Sequence, residues 1–210
     1  MEKLNQPLSI KIIYWFTNVI FWLFTIAGVI AILFAVNMII GLLGNLQLHV
    51  GIPVAIDVVE KGTLDLDFYN KYINVEFKEM IGKIHFIDTP LVIGRIYGSF
   101  MIIIVLLVFL IMYEFRAFIG NIYKGKYFDY FNINHLKRIS YSLLVIWIFT
   151  AIYGYFQYFF IVQNLNFETL EFNMDVKTYP SILMVALFIW VLSHIFMKGL
   201  KLESENQLTI

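Results

Sequence analysis

The sequence predicts a mainly α-helical membrane protein, with four transmembrane helices and a small antiparallel β cap formed by two extracytoplasmic loops. Three observations carry that expectation. Of 210 residues, 60% are hydrophobic and only 14% charged, whereas a soluble domain carries about 25% charge. Apolar runs long enough to cross a bilayer, about 20 residues of helix, recur four times. Between them, two loops alternate polar and apolar residues with the period of a half-buried strand.

The first span is expected over residues 8–43, within a stretch that carries no Asp, Glu, Lys or Arg between Lys11 and Asp57. It is longer than a span needs, so it should tilt or project beyond the bilayer. Gly41 and Gly44 suit its end, because glycine accepts the left-handed backbone of a helix C-cap. The second span is expected over 91–115, with Arg95 near its outer end, the third over 139–162 and the fourth over 180–197. Pro180 suits the first turn of the fourth, where a missing N–H costs nothing. The whole chain, 1–210, reads as a single membrane domain.

Cation counts near the spans set the orientation. Lys3, Lys11, Arg116, Lys124, Lys126, Lys137, Arg138, Lys198 and Lys201 gather on one side, while most of the acids share the other. Both termini, the connection 116–138 and the tail 199–210 are therefore expected in the cytoplasm, with the protein in the cell (inner) membrane. The opening MEKLNQPLSIKIIYWF lacks a short apolar core followed by a small-residue cleavage site, so it reads as the start of a retained helix.

The β cap is expected over 46–89 and 164–178. The stretch 169–176, TLEFNMDV, alternates strictly, with Leu170, Phe172, Met174 and Val176 on one face. LQLHV, TLDLDF, INVEF and KIHF repeat the rhythm more loosely, and Lys61-Gly62 and Ile81-Gly82 look like turns between them. Isolated hairpins are marginal, but three or more strands sharing an apolar face hold together. That face could cap the outer helix ends, or rest on the bilayer or another subunit.

The cytoplasmic connection contains YKGKYFDYFNINHLKRIS, residues 123–140. The second helix is expected to stop near Gly125, and Phe128 to tuck back between the two flanking helices. Asn132 is expected to cap the next helix. Ile133, Leu136, Ile139 and Leu143 then share one helical face, and the cations snorkel toward water and lipid headgroups. A helix–turn–helix connection between spans explains this stretch better than a dedicated docking site does.

Two motifs give the chain a resemblance. Gly125-x-x-Phe128-x-x-x-Asn132-x-x-x-Leu136-x-x-Ile139 and Phe196-x-x-Gly199-x-x-Leu202-x-x-Glu205-x-x-Leu208-Thr209-Ile210 resemble the prokaryotic membrane family catalogued as domain of unknown function 2975. Tyr127 stands where that family often has proline, and Ser140 where it often has glycine. The resemblance implies four spans and an activity not established. Because members are often encoded beside a small helix-turn-helix regulator, it also implies a membrane sensor or regulatory partner of such a regulator. Gly125, Phe128, Asn132, Leu136, Gly199, Leu202, Glu205 and Leu208 are the residues expected to form a structural motif and partner surface. The tail is expected to fold back onto the 125–132 turn.

Other chemistry is expected to be absent. Zero net charge argues against direct nucleic-acid binding, and the lack of cysteine excludes disulfides and thiolate chemistry. His49, His85, His135 and His194 are scattered, so no metal site is expected. No phosphate loop, dinucleotide motif or nucleophile elbow is present, so neither cofactor nor catalytic residue is expected and the chain reads as a non-enzyme. Glu114 and Arg116 form the most interesting ionisable pair, near the inner end of the second span. Asn18, Asn37 and Gln157 are expected to hydrogen-bond between helices. Partners are the lipid bilayer, the regulator and a second copy in a homo-oligomer. The alternative function is an oligomeric lipid- or solute-binding membrane protein or transport accessory, which a buried acidic or histidine cluster would favour.

Overall fold

A computed structural model describes residues 7–41, 51–66, 71–85, 90–166, 172–173 and 178–207. Among these, four helices are long and apolar enough to cross a membrane: α1 (Leu8–Ile40), α2 (Leu91–Tyr123), α3 (Tyr130–Phe160) and α4 (Pro180–Gln207). The 33 residues of α1 rise about 50 Å, well beyond the hydrocarbon thickness of a bilayer. The helices expose large apolar side chains along their length, such as Trp15, Leu33, Leu106 and Phe188. A soluble helix would bury that stripe against a core; these present it outward, as a multi-pass membrane protein does.

The chain forms two compact units. In the helical unit, α1 ends at Gly41, whose backbone is left-handed (φ 73°) and whose N–H donates to Asn37 O at 2.8 Å. Close to that end, α1 and α2 approach through small residues. A Cβ on Gly98 would lie 2.7 Å from Ala35 O, and one on Gly94 would lie 3.0 Å from Met38 O. Gly94-x-x-x-Gly98 thus acts as a small-xxx-small contact, a pattern not picked out in the sequence. Arg95 Nε donates to Ile39 O at 3.3 Å, placing a cation on carbonyls that α1 leaves open at its C-terminus. Further along the same pair lies an apolar crevice of about 450 Å³, lined by Phe24, Gly28, Ile104 and Val108 among others. Helices α3 and α4 meet where Ser140 Oγ donates to Ala186 O at 2.9 Å, both residues fully buried. Ser140 keeps the contact close while satisfying its own hydroxyl.

The second unit holds β1 (Gly51–Leu66), β2 (Lys71–His85) and the two-residue β3 (Phe172–Asn173). Strands β1 and β2 pair antiparallel from Gly51↔His85 to Leu66↔Lys71, and β3 pairs with β1 at Ile56↔Phe172 and Ala55↔Asn173. The expected turns are corrected here. Lys61-Gly62 pairs with Glu76 and Val75, and Ile81-Gly82 pairs with Ala55 and Val54, so both lie inside the strands. A register shift between Asp57 and Glu60 absorbs the irregularity instead. Gly82 opposes Val54, and its missing side chain leaves room for Ile56 Cδ1, 3.4 Å from where a Cβ would stand. LQLHV lies outside the described residues, as does most of the 169–176 alternation.

Helix α4 corrects another expectation. Residues 199–207 continue as helix and do not fold back. Leu202 is 61% exposed on it, and Glu205 pairs with Lys201 one turn away at 3.8 Å. Nine further helical residues satisfy their backbone hydrogen bonds locally, which a fold-back would have to break. Leu208 and Ile210 lie outside the described residues.

Candidate functional site

Residues 124–129, joining α2 to α3, form a tight and heavily bonded turn. Gly125 is left-handed (φ 80°), its N–H donates to Ile122 O at 2.9 Å, and Lys126 N donates to Asn121 O at 3.0 Å. These two bonds are a Schellman ending, which uses carbonyls that the last helical turn would otherwise leave open. The cap of α3 is Asp129: Phe131 N donates to its Oδ1 at 3.0 Å, and Asn132 N donates to its backbone oxygen at 3.0 Å.

Asn132 therefore does not cap α3. It sits inside the helix, fully buried, and ties the turn together. Its Nδ2 donates to Lys126 O at 2.6 Å and Tyr127 O at 3.1 Å, while its Oδ1 accepts from Asn121 Nδ2 at 2.9 Å. A buried amide satisfied by backbone on one side and by α2 on the other fixes both the turn and the angle at which α3 leaves it.

Below Asn132 the seam between α2 and α3 becomes apolar and then charged. Phe118 and Ile119 of α2 pack with Leu136 of α3, and Tyr14, Ile122, Ile189 and Phe196 close around them, so all four helices meet here. One turn further, Glu114 is buried at 3% exposure. Its Oε2 accepts from His135 Nδ1 at 2.5 Å, and its Oε1 accepts from Arg138 at 3.0 Å. Both carboxylate oxygens are thus held by α3, which offsets the cost of burying the charge. His135 has a partner after all, and that partner is an acid 21 residues earlier.

Glu114 and Arg116 are not a pair. Two residues apart on a helix, they point to different neighbours. Arg116 turns to α1, where its Nε donates to Asn18 Oδ1 at 2.8 Å and its guanidinium lies 4.5 Å above the Phe21 ring. Asn18 therefore bonds between helices, as expected. Nearby, Tyr14 stacks on Tyr123 at 4.4 Å.

The two motif segments meet through Phe128. Its ring lies 5.6 Å from that of Phe196, and a Cβ on Gly199 would come within 2.5 Å of it. Gly199 leaves room for this aromatic edge, which a side chain there would displace. Phe128 thus packs on α4 instead of tucking between α2 and α3, and it stays 45% exposed. The structure brings together Gly125, Phe128, Asn132, Leu136 and Gly199; Leu202 and Glu205 stand exposed further along α4, and Leu208 lies outside the described residues.

Sequence reasoning missed Asn121, Asp129 and the Glu114–His135–Arg138 cluster. A signal was present: Glu114, Phe118 and Asn121 form an i, i+4, i+7 row, and an antiparallel partner would set it against Asn132, Leu136 and His135. Among the described residues, no group of three or more His, Asp or Glu side chains could hold a metal ion. In this cluster the positive charge opposite Glu114 comes from an arginine.

Comparison with curated proteins finds no match, and comparison with solved structures finds none either. A family model described as "Protein of unknown function (DUF2975)" matches residues 77–210, which include α2, the bonded turn, α3 and α4. With three of the four apolar helices and both motif segments inside that match, the chain belongs to this family.

Proposed function

We propose that this chain is a non-enzymatic sensor or regulatory protein of the cell membrane, with both termini cytoplasmic, and that its partner is a small helix-turn-helix transcriptional regulator. In this reading the hairpin and β3 form an extracytoplasmic β cap that receives the signal. The turn end of the helices, with the exposed end of α4, is the output. The observation that carries the reading is the junction of Phe128 with Phe196 and Gly199, which joins two family motifs into one surface of fixed geometry. Tyr127, Tyr130 and Phe131 stand exposed beside it. The regulator itself is drawn from the family resemblance, not from the geometry.

The test uses the full chain in nanodiscs and a purified small helix-turn-helix regulator of the kind the family resemblance implies. Wild type should bind. Gly199→Leu, which pushes Phe128 out of place, should weaken binding at least tenfold while leaving membrane insertion intact. Undiminished binding by that variant would remove the surface from the proposal. Orientation is tested separately, because a chain without cysteine reports single introduced thiols cleanly. Lys83→Cys should react with an impermeant reagent in intact cells, and Lys126→Cys should not.

The buried Glu114, held by His135 and Arg138, favours a second reading, an oligomeric lipid- or solute-binding membrane protein or transport accessory, since a buried ionisable group within a membrane bundle commonly marks such a path. Solute uptake that disappears in Glu114→Gln, with regulator binding unchanged, would favour it over the first.

A further inference from the structure

Helix α3 turns one face outward: Phe131 and, two turns on, Arg138, Tyr141, Val145 and Ile148 lie on it at helical spacing and all are exposed, while Asn134 and His135 between them are partly buried. Four of the five are what a bilayer accepts, an aromatic residue at each side of a boundary and then aliphatic residues. The fifth is a guanidinium. Arg138 is also the last charged residue of α3, because none occurs from Ile139 to Asn164. It therefore stands where the helix passes from its polar first turns into its apolar run, the level of lipid headgroups.

Two further facts make this arginine unlike a snorkelling surface cation. Its side chain is 65% exposed, yet one end of its fork is fixed by the buried Glu114 at 3.0 Å. Glu114 is itself held by His135, so the carboxylate cannot swing away to follow the arginine. The guanidinium is pinned from the protein side while most of its surface faces outward between Phe131 and Tyr141. A planar fork with its orientation already fixed loses little freedom on receiving a second oxyanion, and phosphate is the oxyanion present at that depth.

We propose that Arg138, anchored by Glu114 and flanked on the same helix face by Phe131 and Tyr141, is a binding site for the phosphate of an anionic phospholipid. The acyl chains then lie along Val145 and Ile148, and the phosphate bonds the outward N–H groups of Arg138. Lys137 has the same charge but lies about 100° round the helix, off the exposed row. A diffuse basic surface would use both residues alike; a site uses Arg138.

The full chain in detergent, titrated with phosphatidylglycerol or phosphatidylcholine and read by native mass spectrometry, tests this. Wild type should prefer phosphatidylglycerol by about fivefold, the factor that one cation contributes at an anionic surface. Arg138→Gln should abolish the preference, and Lys137→Gln should keep it. Equal loss in both variants, or none in Arg138→Gln, overturns the site. If Arg138→Gln does not fold, Arg138→Lys is read instead. It keeps a cation for Glu114 but loses the fork, so the preference should fall by about twofold or more, and an unchanged preference overturns the site. Excess inorganic phosphate should leave lipid uptake unaltered; displacement of the lipid would assign the site to a soluble anion and defeat the proposal.

Discussion

The two ends of the α1–α2 pair are held by different physics. At the end where α1 stops, Gly94 and Gly98 let backbone meet backbone, with Ala35 O lying where a side chain would otherwise stand. At the turn end the contacts are made by long polar and aromatic side chains: Arg116 on Asn18 and Phe21, and Tyr14 on Tyr123. Close backbone contact needs no charge and tolerates no added volume. Side-chain contact tolerates volume but depends on every partner being present. The first kind makes a fixed joint, whereas the second can be rearranged by a ligand, a partner or a change of charge. The turn end, where Glu114, His135, Arg138, Asn121 and Asn132 gather, is held by the second kind.

Substitutions can break or sharpen that contrast. The largest effect should come from the glycine end. Gly98→Leu places a side chain against Ala35 O and forces the helices apart, so thermal unfolding in detergent should show a loss of about 3 kcal/mol. A silent Gly98→Leu would mean that α1 and α2 are not joined there. At the turn end, Asn132→Ala removes a buried amide and leaves the carbonyls of Lys126 and Tyr127 without it, costing about 2 kcal/mol. Faster amide exchange at residues 121–132 should accompany the loss; a helix-cap role alone would confine the change to the first turn of α3.

Phe128→Ala should cost only about 1 kcal/mol, because nearly half of the ring is exposed already and full burial is what makes such truncations expensive. A loss as large as that of Asn132→Ala would show that the ring, not the amide, organises the turn. The smallest effect has the opposite sign. A Cβ at Gly120 would meet nothing within 4 Å, so Gly120→Ala should stabilise α2 by up to about 1 kcal/mol through helix propensity alone. The melting temperature should rise slightly, and a fall would reveal a close neighbour at that position.

The four helices, the left-handed glycines at positions 41 and 125 and the two motif segments were legible in the sequence. These follow from local rules: apolar length measures a bilayer, and a helix end that needs positive φ selects glycine. The same rules placed Asn132 at a cap, because Asn close to the start of an apolar-periodic helix reads as one. Only the tertiary structure moved the cap to Asp129 and turned Asn132 inward to Asn121. Likewise, Lys61-Gly62 and Ile81-Gly82 read locally as turns, and strand pairing overrode them. The partnership of Glu114 with His135 and Arg138 was missed for a related reason. It joins residues more than twenty positions apart, and helical periodicity gives the face a residue lies on without naming what stands opposite. The angle between α2 and α3 decides that, and the angle is set by one buried amide and one left-handed glycine acting together, so no local pattern contains it.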